Sequence, residues 1–139
     1  MPLPDFSDRI EYLRNKLPES GVPVAPDLRT FSTGSVRDVR TNKGRYDLLS
    51  PFVEERDALH MERGGVNYGD RNWELGQPLS VYYDSAHRHM TRHWQGLEDE
   101  DHLAAARWNI AAIMHTEEMI RRGLLPAELN DRPNYQSKT

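Results

Sequence analysis

The sequence contains no cysteine among its 139 residues, which excludes disulfide bonds and metal sites built from thiolates. It also contains no apolar run close to the roughly 20 residues that a membrane-spanning helix needs, so we expect no membrane partner. Residues 1–10 lack a basic start followed by an apolar stretch, and we therefore expect no signal peptide. A cytoplasmic location is compatible with all three absences.

An excess of positive charge is also missing. The chain has 18 basic and 22 acidic residues and a net charge of −4, whereas proteins that bind nucleic acid nonspecifically usually carry a basic patch. We therefore expect no nucleic-acid partner. Hydrophobic residues make up only 37% of the chain, which is low for a fully compact domain, so we predict one domain with a modest core and irregular ends.

Helical periodicity, interrupted by glycine and proline, predicts an all-α fold of three core helices preceded by an N-terminal helix. No segment has a convincing strand pattern. We predict the domain bounds as residues 1–32 for an N-terminal helix and arm, 33–125 for the main domain, and 126–139 for a polar tail that frays. The predicted helices cover residues 5–17, 51–63, 80–95 and 98–122, and residues 33–50 are predicted to form a structured basic loop.

The ends of these helices are indicated by local signals. Ser50 and Pro51 are a typical cap and first residue, and the pair Gly64–Gly65 predicts the end of that helix. Gly123 predicts the end of the last one. The side chains predicted to face the core are Phe52 and Leu59 in the first core helix, Tyr83, Ala86, Met90 and Trp94 in the second, and Leu103, Ala106, Ile110, Ile113 and Ile120 in the third.

Residues 80–109 concentrate imidazoles and carboxylates, and they span two predicted helices joined by a short acidic turn. Two helices that meet at a turn can direct such groups to one point, as in metal sites of helical bundles. His89 is the best imidazole candidate. Glu98 and Asp101 lie three residues apart and could turn inward as oxygen ligands. Alternatively, the histidines make structural hydrogen bonds and the acids only favour a helix N-terminus.

Two further helical faces allow two interpretations each. His102 and Asn109 are seven residues apart, with alanines on the same stripe, so they form either a polar bridge between packed helices or the wall of a pocket. In the first case Asn109 would form a hydrogen bond with His89, and in the second with a ligand. Glu55 lies on an acidic helix surface that is either solvated or part of a metal centre.

The basic loop carries Arg37, Lys43 and Arg45 near glycines, an arrangement that suits an anion such as phosphate, although an ordinary surface loop remains an alternative. Tyr68 and Trp73 are either core residues or platforms that stack on a base.

Four motifs in order resemble the phage family of dATP/dGTP diphosphohydrolase N-terminal domains. They span about Thr33 to Glu118 and read TGSVRDVRTNKGRYDLL, NYGDRNWELG, SAHRHM and DEDHLAAARWNIAAI. That family is similar to the all-α MazG-like enzymes, which hydrolyse a nucleoside triphosphate to monophosphate and pyrophosphate with a divalent metal. The resemblance implies a MazG-like bundle, completed as a homo-oligomer (dimer or tetramer), in the host cytoplasm.

The resemblance also implies a site, with dGTP or dATP as substrate and Mg²⁺, Mn²⁺ or Co²⁺ as the metal. The expected metal ligands are Glu55, His89, Glu98, Asp101 and His102. The expected catalytic residues are Glu55, Asp101 and His102, with Glu55 or Asp101 orienting the attacking water. The expected substrate-binding residues are Arg37, Lys43, Arg45, Asp47, Tyr68, Asn72, Trp73, Arg88 and Asn109.

The sequence departs from the family pattern at two points. Asn67 stands where the family usually has lysine, and the paired glutamates followed by E-x-x-D of MazG enzymes are not cleanly present. A second hypothesis is therefore a protein that binds or sequesters a nucleotide without hydrolysing it.

Overall fold

The computed structural model describes residues 28–136, and it divides them into two units, residues 28–48 and residues 49–136. The predicted N-terminal helix over residues 5–17, and the arm up to residue 27, lie outside the described residues. The described part of the chain is mostly helical, with three α-helices and one two-stranded sheet. None of the helices within residues 28–136 is both long and apolar enough to cross a membrane. The domain bounds predicted from the sequence stay a prediction.

The N-terminal unit contains a β-hairpin, which corrects the prediction that the chain has no strand. Strand β1 (Leu28–Thr30) pairs antiparallel with β2 (Val36–Asp38), so that Arg29 lies opposite Arg37. Gly34 occupies the turn with a φ of 85°, a value that L residues rarely adopt. Strands of three residues are too short for the alternation of side chains to be recognised in the sequence. All residues from 33 to 50 are described, and as predicted they contain no α-helix.

The first helix, α1 (Pro51–Tyr68), begins where the sequence predicts and ends later. The Ser50 side chain accepts a hydrogen bond from the Val53 amide at 3.4 Å, which caps the helix. Its predicted end at Gly64–Gly65 is wrong, because both glycines stay helical and the chain leaves the helix at Gly69, with a φ of 91°. Gly65 has a packing role instead. A Cβ there would lie 2.7 Å from a side-chain oxygen of Asp70.

The second and third helices are α2 (Leu79–Trp94) and α3 (His102–Arg121). Helix α3 begins four residues later than predicted, because Asp101 is its N-cap and accepts a hydrogen bond from the Ala104 amide at 3.0 Å. Glu98 therefore lies in the turn before the helix. The predicted stop at Gly123 is confirmed, since the helix ends at Arg121 and Gly123 has a φ of 72°.

Helices α2 and α3 pack against each other along a seam of small and polar residues. Five of the seven buried residues of α3 recur at spacings of three and four, and so do the three buried residues of α2. They are His102, Ala105, Asn109, Ala112 and Thr116 on α3, and Leu79, Tyr82 and Ala86 on α2. Alanines permit a close approach of the two backbones, and α1 packs against α3 on another side.

The predicted inward faces of the core helices are therefore largely wrong. Among the large side chains expected in the core, Phe52, Leu59, Tyr83, Met90, Trp94 and Ile110 are exposed. The predictions for Ala86 and Ala106 are confirmed, since both are buried. The error has a physical cause, because the seam uses alanine and hydrogen-bonding side chains where a search for periodicity favours large aliphatic ones.

Residues 127–131 are held against α2 and the connection before it, which corrects the prediction that this part of the tail frays. The Asp131 carboxylate accepts hydrogen bonds from the backbone amide of Ser80, at 2.9 Å, and from the Ser80 hydroxyl. Leu125 and Leu129 pack so closely around Gly76 that a Cβ there would lie 2.9–3.0 Å from their methyl groups. This segment therefore supports the connection between α1 and α2.

Candidate metal and nucleotide site

Two histidines meet where the end of α2 lies beside the start of α3. His89 lies in the later part of α2, and His102 is the first residue of α3, so the short turn between the helices brings them together. Their Nδ1 atoms are 3.0 Å apart. The His102 side chain has no exposed surface, and that of His89 is 14% exposed. Both sequence-predicted imidazoles are therefore at one point.

Glu100 supplies a carboxylate to the same point. Its Oε1 lies 3.0 Å from His89 Nδ1 and 3.3 Å from His102 Nδ1. Within residues 28–136, this is the one grouping of three or more such side chains whose ligand atoms all lie within 4.8 Å of one another. The sequence prediction missed Glu100, although it lies in the predicted acidic run. The available signal was Asp101 as a helix cap, which places the preceding residue in the turn beside His102.

The three atoms of this grouping, which we call the His–Glu–His triangle (His89, Glu100, His102), fit a divalent ion. Two ligand atoms bound to one ion at about 2.0–2.1 Å lie roughly 3.0–3.4 Å apart, and the three measured separations are 3.0, 3.0 and 3.3 Å. Neutral imidazole nitrogen and ionised carboxylate oxygen are both metal donors. The triangle could therefore hold a metal ion.

Asp99 lies behind His102 and orients its ring. His102 Nε2 is 2.7 Å from Asp99 Oδ1. Because an ionised carboxylate only accepts hydrogen bonds, this contact places a proton on Nε2 and leaves Nδ1 as the nitrogen that could bind a metal. The hydrogen bond from His102 also lowers the pKa of Asp99, while burial lowers the pKa of His89 and favours its neutral ring.

Asp101 is held by α1. The Arg56 guanidinium donates two hydrogen bonds to its carboxylate, at 2.6 and 2.7 Å, and these hold the pKa of Asp101 well below its usual range. The carboxylate also caps α3, so both of its oxygens have protein partners. A second pair, Arg107 with Asp57, joins α3 to α1 at 2.9 and 3.1 Å. The two pairs fix the acidic turn relative to α1.

A cleft of about 720 Å³ opens beside the triangle. The end of α1, the connection to α2, and parts of α2 and α3 form its walls, and Asp99 and Glu100 line its edge. Six of the residues predicted for the site line the cleft, namely Tyr68, Asn72, Trp73, Arg88, Asp101 and Asn109. The volume lies in the range of about 300–1,000 Å³ that is usual for small-molecule sites.

The cleft contains groups for both charge and stacking. Arg88 donates hydrogen bonds to Asp84 at 2.8 Å and to the Ser85 hydroxyl at 3.3 Å, which leaves part of its guanidinium free to donate to other acceptors, such as phosphate oxygens. Trp73 contacts the His115 ring edge-on, with centroids 4.6 Å apart. The Asn109 amide donates to the Ala105 carbonyl at 2.9 Å and not to His89, so the first of its two expected partners is wrong and the second, a ligand, stays a prediction. Asn109 is a buried seam residue that also borders the cleft.

Three residues predicted as ligands, Glu55, Glu98 and Asp101, are not part of the triangle. Glu55 is exposed on α1, and Glu98 is exposed in the turn before α3. Because α3 begins at His102, Glu98 and Asp101 do not share a helical face as the three-residue spacing predicted. The catalytic roles expected for Glu55 and Asp101 stay predictions.

The predicted phosphate-binding loop belongs to the N-terminal unit and makes local ion pairs. Arg45 donates two hydrogen bonds of 2.8 Å to Asp47, which lower the pKa of Asp47 to about 2. Lys43 lies 3.6 Å from Asp38, and Arg37 is exposed on β2. These side chains are all at the surface of the unit, where a phosphate group could reach them.

The family model described as dATP/dGTP diphosphohydrolase, N-terminal, matches residues 33–123, which is more than half of the chain. The matched range contains all of α1, α2 and α3, and therefore both the triangle and the cleft. No curated protein and no solved structure matches the chain. The resemblance noted from the sequence motifs is confirmed, and the family name points to a diphosphohydrolase.

Proposed function

Since the chain belongs to the dATP/dGTP diphosphohydrolase N-terminal family, we propose that it hydrolyses dGTP or dATP to the monophosphate and pyrophosphate. The observation that carries this proposal is the position of the His–Glu–His triangle at the edge of a 720 Å³ cleft. A metal site beside a cleft of nucleotide size is the arrangement that phosphoryl chemistry requires.

In the proposed reaction, a water oxygen bonds to the α-phosphorus. The bond from that phosphorus to the α–β bridging oxygen breaks, pyrophosphate leaves with the electron pair, and the water protons pass to solvent. His89, Glu100 and His102 would hold the divalent ion, for which Mg²⁺, Mn²⁺ and Co²⁺ are candidates. When bound, such an ion polarises phosphoryl oxygens and lowers the pKa of a coordinated water.

The cleft residues would bind and orient the substrate. The Arg88 guanidinium would neutralise phosphate charge, which matters because Asp84, Asp99 and Glu100 make this part of the cleft acidic. Tyr68 and Trp73 would contact the base, and Asn72 and Asn109 would offer amide groups. We propose Arg37, Lys43, Arg45 and Asp47 as further triphosphate-binding residues on the basis of the family resemblance.

We also propose a MazG-like bundle that is completed by association of copies into a homo-oligomer in the cytoplasm. The exposed apolar side chains of the helices, such as Phe52 on α1 and Trp94 on α2, support this proposal. Light scattering of the purified chain would then give the mass of a dimer or tetramer. A monomeric mass at micromolar concentration would contradict the association.

The activity is tested by incubating the full chain with dGTP or dATP and Mn²⁺ and separating the products by chromatography. We expect monophosphate and pyrophosphate in equal amounts. The variant His89→Ala should lose more than about 100-fold in turnover, because it removes one of three proposed ligands. His93→Ala is the matched control, since it alters an exposed histidine on the same helix and should keep full activity.

Nucleotide binding without product would contradict hydrolysis and favour the second hypothesis, a protein that sequesters nucleotides. In that case dGTP would raise the melting temperature of the protein, and the nucleotide would be recovered intact.

A further inference from the structure

We infer that the His–Glu–His triangle is a two-histidine, one-carboxylate centre that selects a first-row transition-metal dication, such as Mn²⁺, Fe²⁺, Co²⁺ or Zn²⁺, over Mg²⁺. This inference deepens the proposed function, because it names the class of metal that the same site takes. It rests on the identity and spacing of the three donor atoms, and on the way in which His102 is held.

The chemical identity of the three donor atoms favours a transition metal. Mg²⁺ prefers oxygen ligands and keeps several of its waters, whereas imidazole suits transition metals. Two of the three donor atoms are Nδ1 atoms of His89 and His102, and the one oxygen comes from Glu100. A site for Mg²⁺ would need carboxylates in place of these rings. Within residues 28–136, no second grouping of this kind offers an alternative set of three ligands.

The triangle is already formed in the structure. Its three separations of 3.0, 3.0 and 3.3 Å match atoms that share one ion, so binding requires little rearrangement. The His102 ring has no exposed surface, which restricts it to this orientation. Glu100 is 43% exposed and borders the cleft, and through it a bound ion would be accessible to substrate oxygens.

Asp99 orients His102, and we assign it as a positioning residue. Its carboxylate accepts the hydrogen bond from His102 Nε2 at 2.7 Å, so that Nδ1 is the ring nitrogen available to a metal in the triangle. Carboxylates behind a histidine ligand orient the ring and raise its basicity, and their loss typically costs about 10- to 100-fold in metal affinity. The acidic turn therefore contributes one ligand, Glu100, and one orienting group, Asp99.

The test measures metal binding directly and does not depend on turnover. The full chain, stripped with a chelator, is titrated with Mn²⁺ and followed by electron paramagnetic resonance, and with Co²⁺ and followed by its visible absorption. We expect one ion per chain, and we expect a hundredfold molar excess of Mg²⁺ over Mn²⁺ to leave the Mn²⁺ bound. Displacement of Mn²⁺ by equimolar Mg²⁺ would overturn the inference.

Three variants assign the binding to the triangle. Glu100→Gln should abolish Mn²⁺ binding while circular dichroism stays unchanged, since this side chain is partly exposed. Asp99→Asn should weaken Mn²⁺ about 10- to 100-fold. Glu98→Gln is the matched control, because it removes an exposed carboxylate of the same turn and should bind Mn²⁺ normally.

The outcomes separate this inference from the proposed function. If Mn²⁺ binds at the triangle but dGTP and dATP stay intact, the metal inference stands and the proposed hydrolysis fails. If the unaltered protein converts dGTP to products, but Glu100→Gln binds Mn²⁺ as tightly or hydrolyses dGTP normally with Mg²⁺ alone, the metal inference fails and the hydrolysis stands.

Discussion

The loop of the N-terminal unit and the helical unit both contain many charged side chains, but they pair them over different distances along the chain. In the loop, Arg45 binds Asp47, two positions away. In the helical unit, Arg56 binds Asp101, 45 positions away, and Arg107 binds Asp57, 50 positions away. A local pair needs only one turn of backbone, whereas a long-range pair needs α1 and α3 in place. Only the long-range pairs can position groups from different elements.

The largest effect on stability should come from the seam between α2 and α3. Ala112→Leu adds three carbons to a buried position that contacts Leu79 and Tyr82, and overpacking of this kind costs about 1–3 kcal/mol. Denaturation followed by circular dichroism measures the loss. Ala111→Leu is the control, since Ala111 is exposed on the same helix and should change stability by less than about 0.5 kcal/mol. Equal losses of stability in both variants would contradict the close packing of α2 and α3 at Ala112.

The next largest effect should come from Asp101. Asp101→Ala removes the cap of α3, worth about 1 kcal/mol, and the ion pair with Arg56, worth about 0.5–1 kcal/mol at a half-exposed site. Asp101→Asn keeps a capping side chain and should lose only the ion-pair part. Urea denaturation of both variants measures the difference. If Asn destabilises as much as Ala, the cap contributes nothing and the long-range pair accounts for the whole effect.

Acid should remove the stability that the long-range pair of Arg56 and Asp101 contributes. The local pair of Arg45 and Asp47 should contribute little to stability at any pH. Arg56 lowers the folded-state pKa of Asp101, and Arg45 lowers that of Asp47 to about 2. Folding brings Arg56 to Asp101, so the lowered pKa of Asp101 stabilises the fold above the unfolded pKa of about 3.9, and this contribution is lost as the pH falls through the folded value. Asp47 is exposed and lies two positions from Arg45, so the lowered pKa of Asp47 contributes little to stability.

Melting temperatures between about pH 7 and pH 2 test this contrast. The difference between the unaltered protein and Asp101→Asn should be constant above about pH 5 and should shrink below about pH 4. Asp47→Asn should match the unaltered protein throughout, because Asp47 is exposed and is bound within its own segment. A difference for Asp101→Asn that grows in acid would contradict this linkage.

The smallest effect on stability should come from Arg45→Ala, which should change it by less than about 0.5 kcal/mol. If Arg45 contacts phosphate as proposed, the variant should bind a triphosphate about 10- to 100-fold more weakly and bind the nucleoside normally. Isothermal titration with dGTP and deoxyguanosine measures both affinities. Equal losses for the two ligands would mean that Arg45 supports the fold instead.

The same contrast explains what the sequence could predict. Ser50 with Pro51, and Gly123, mark helix ends through interactions within one turn, and these predictions are confirmed. Gly65 was misread because its role is a close contact with Asp70, beyond the end of the helix. The buried face of α3 was misread because Ala105 and Ala112 carry little hydrophobic signal, while Ile110 carries more and is exposed.

The residues of the candidate site could likewise be predicted only where they depend on short-range contacts. His89 and His102 could be found from the sequence because they lie near the two ends of one short turn. The choice among four consecutive acids could not be made, since it depends on which one caps α3. Asp101 forms the cap and pairs with Arg56, a residue from a distant part of the chain. That long-range pair leaves Glu100 beside the histidines and Asp99 behind His102.

The most direct test of the account is electron–nuclear double resonance on the full chain with Mn²⁺ and a dGTP analogue whose α–β bridging oxygen is replaced by nitrogen. The account predicts ¹⁴N couplings from the imidazoles of His89 and His102 together with ³¹P couplings from the analogue, on one Mn²⁺ ion. The ¹⁴N couplings should disappear in His89→Ala and persist in His93→Ala. A ³¹P coupling without any imidazole coupling would contradict this prediction, because the Mn²⁺ ion would then be bound by the nucleotide phosphates and not by His89 and His102.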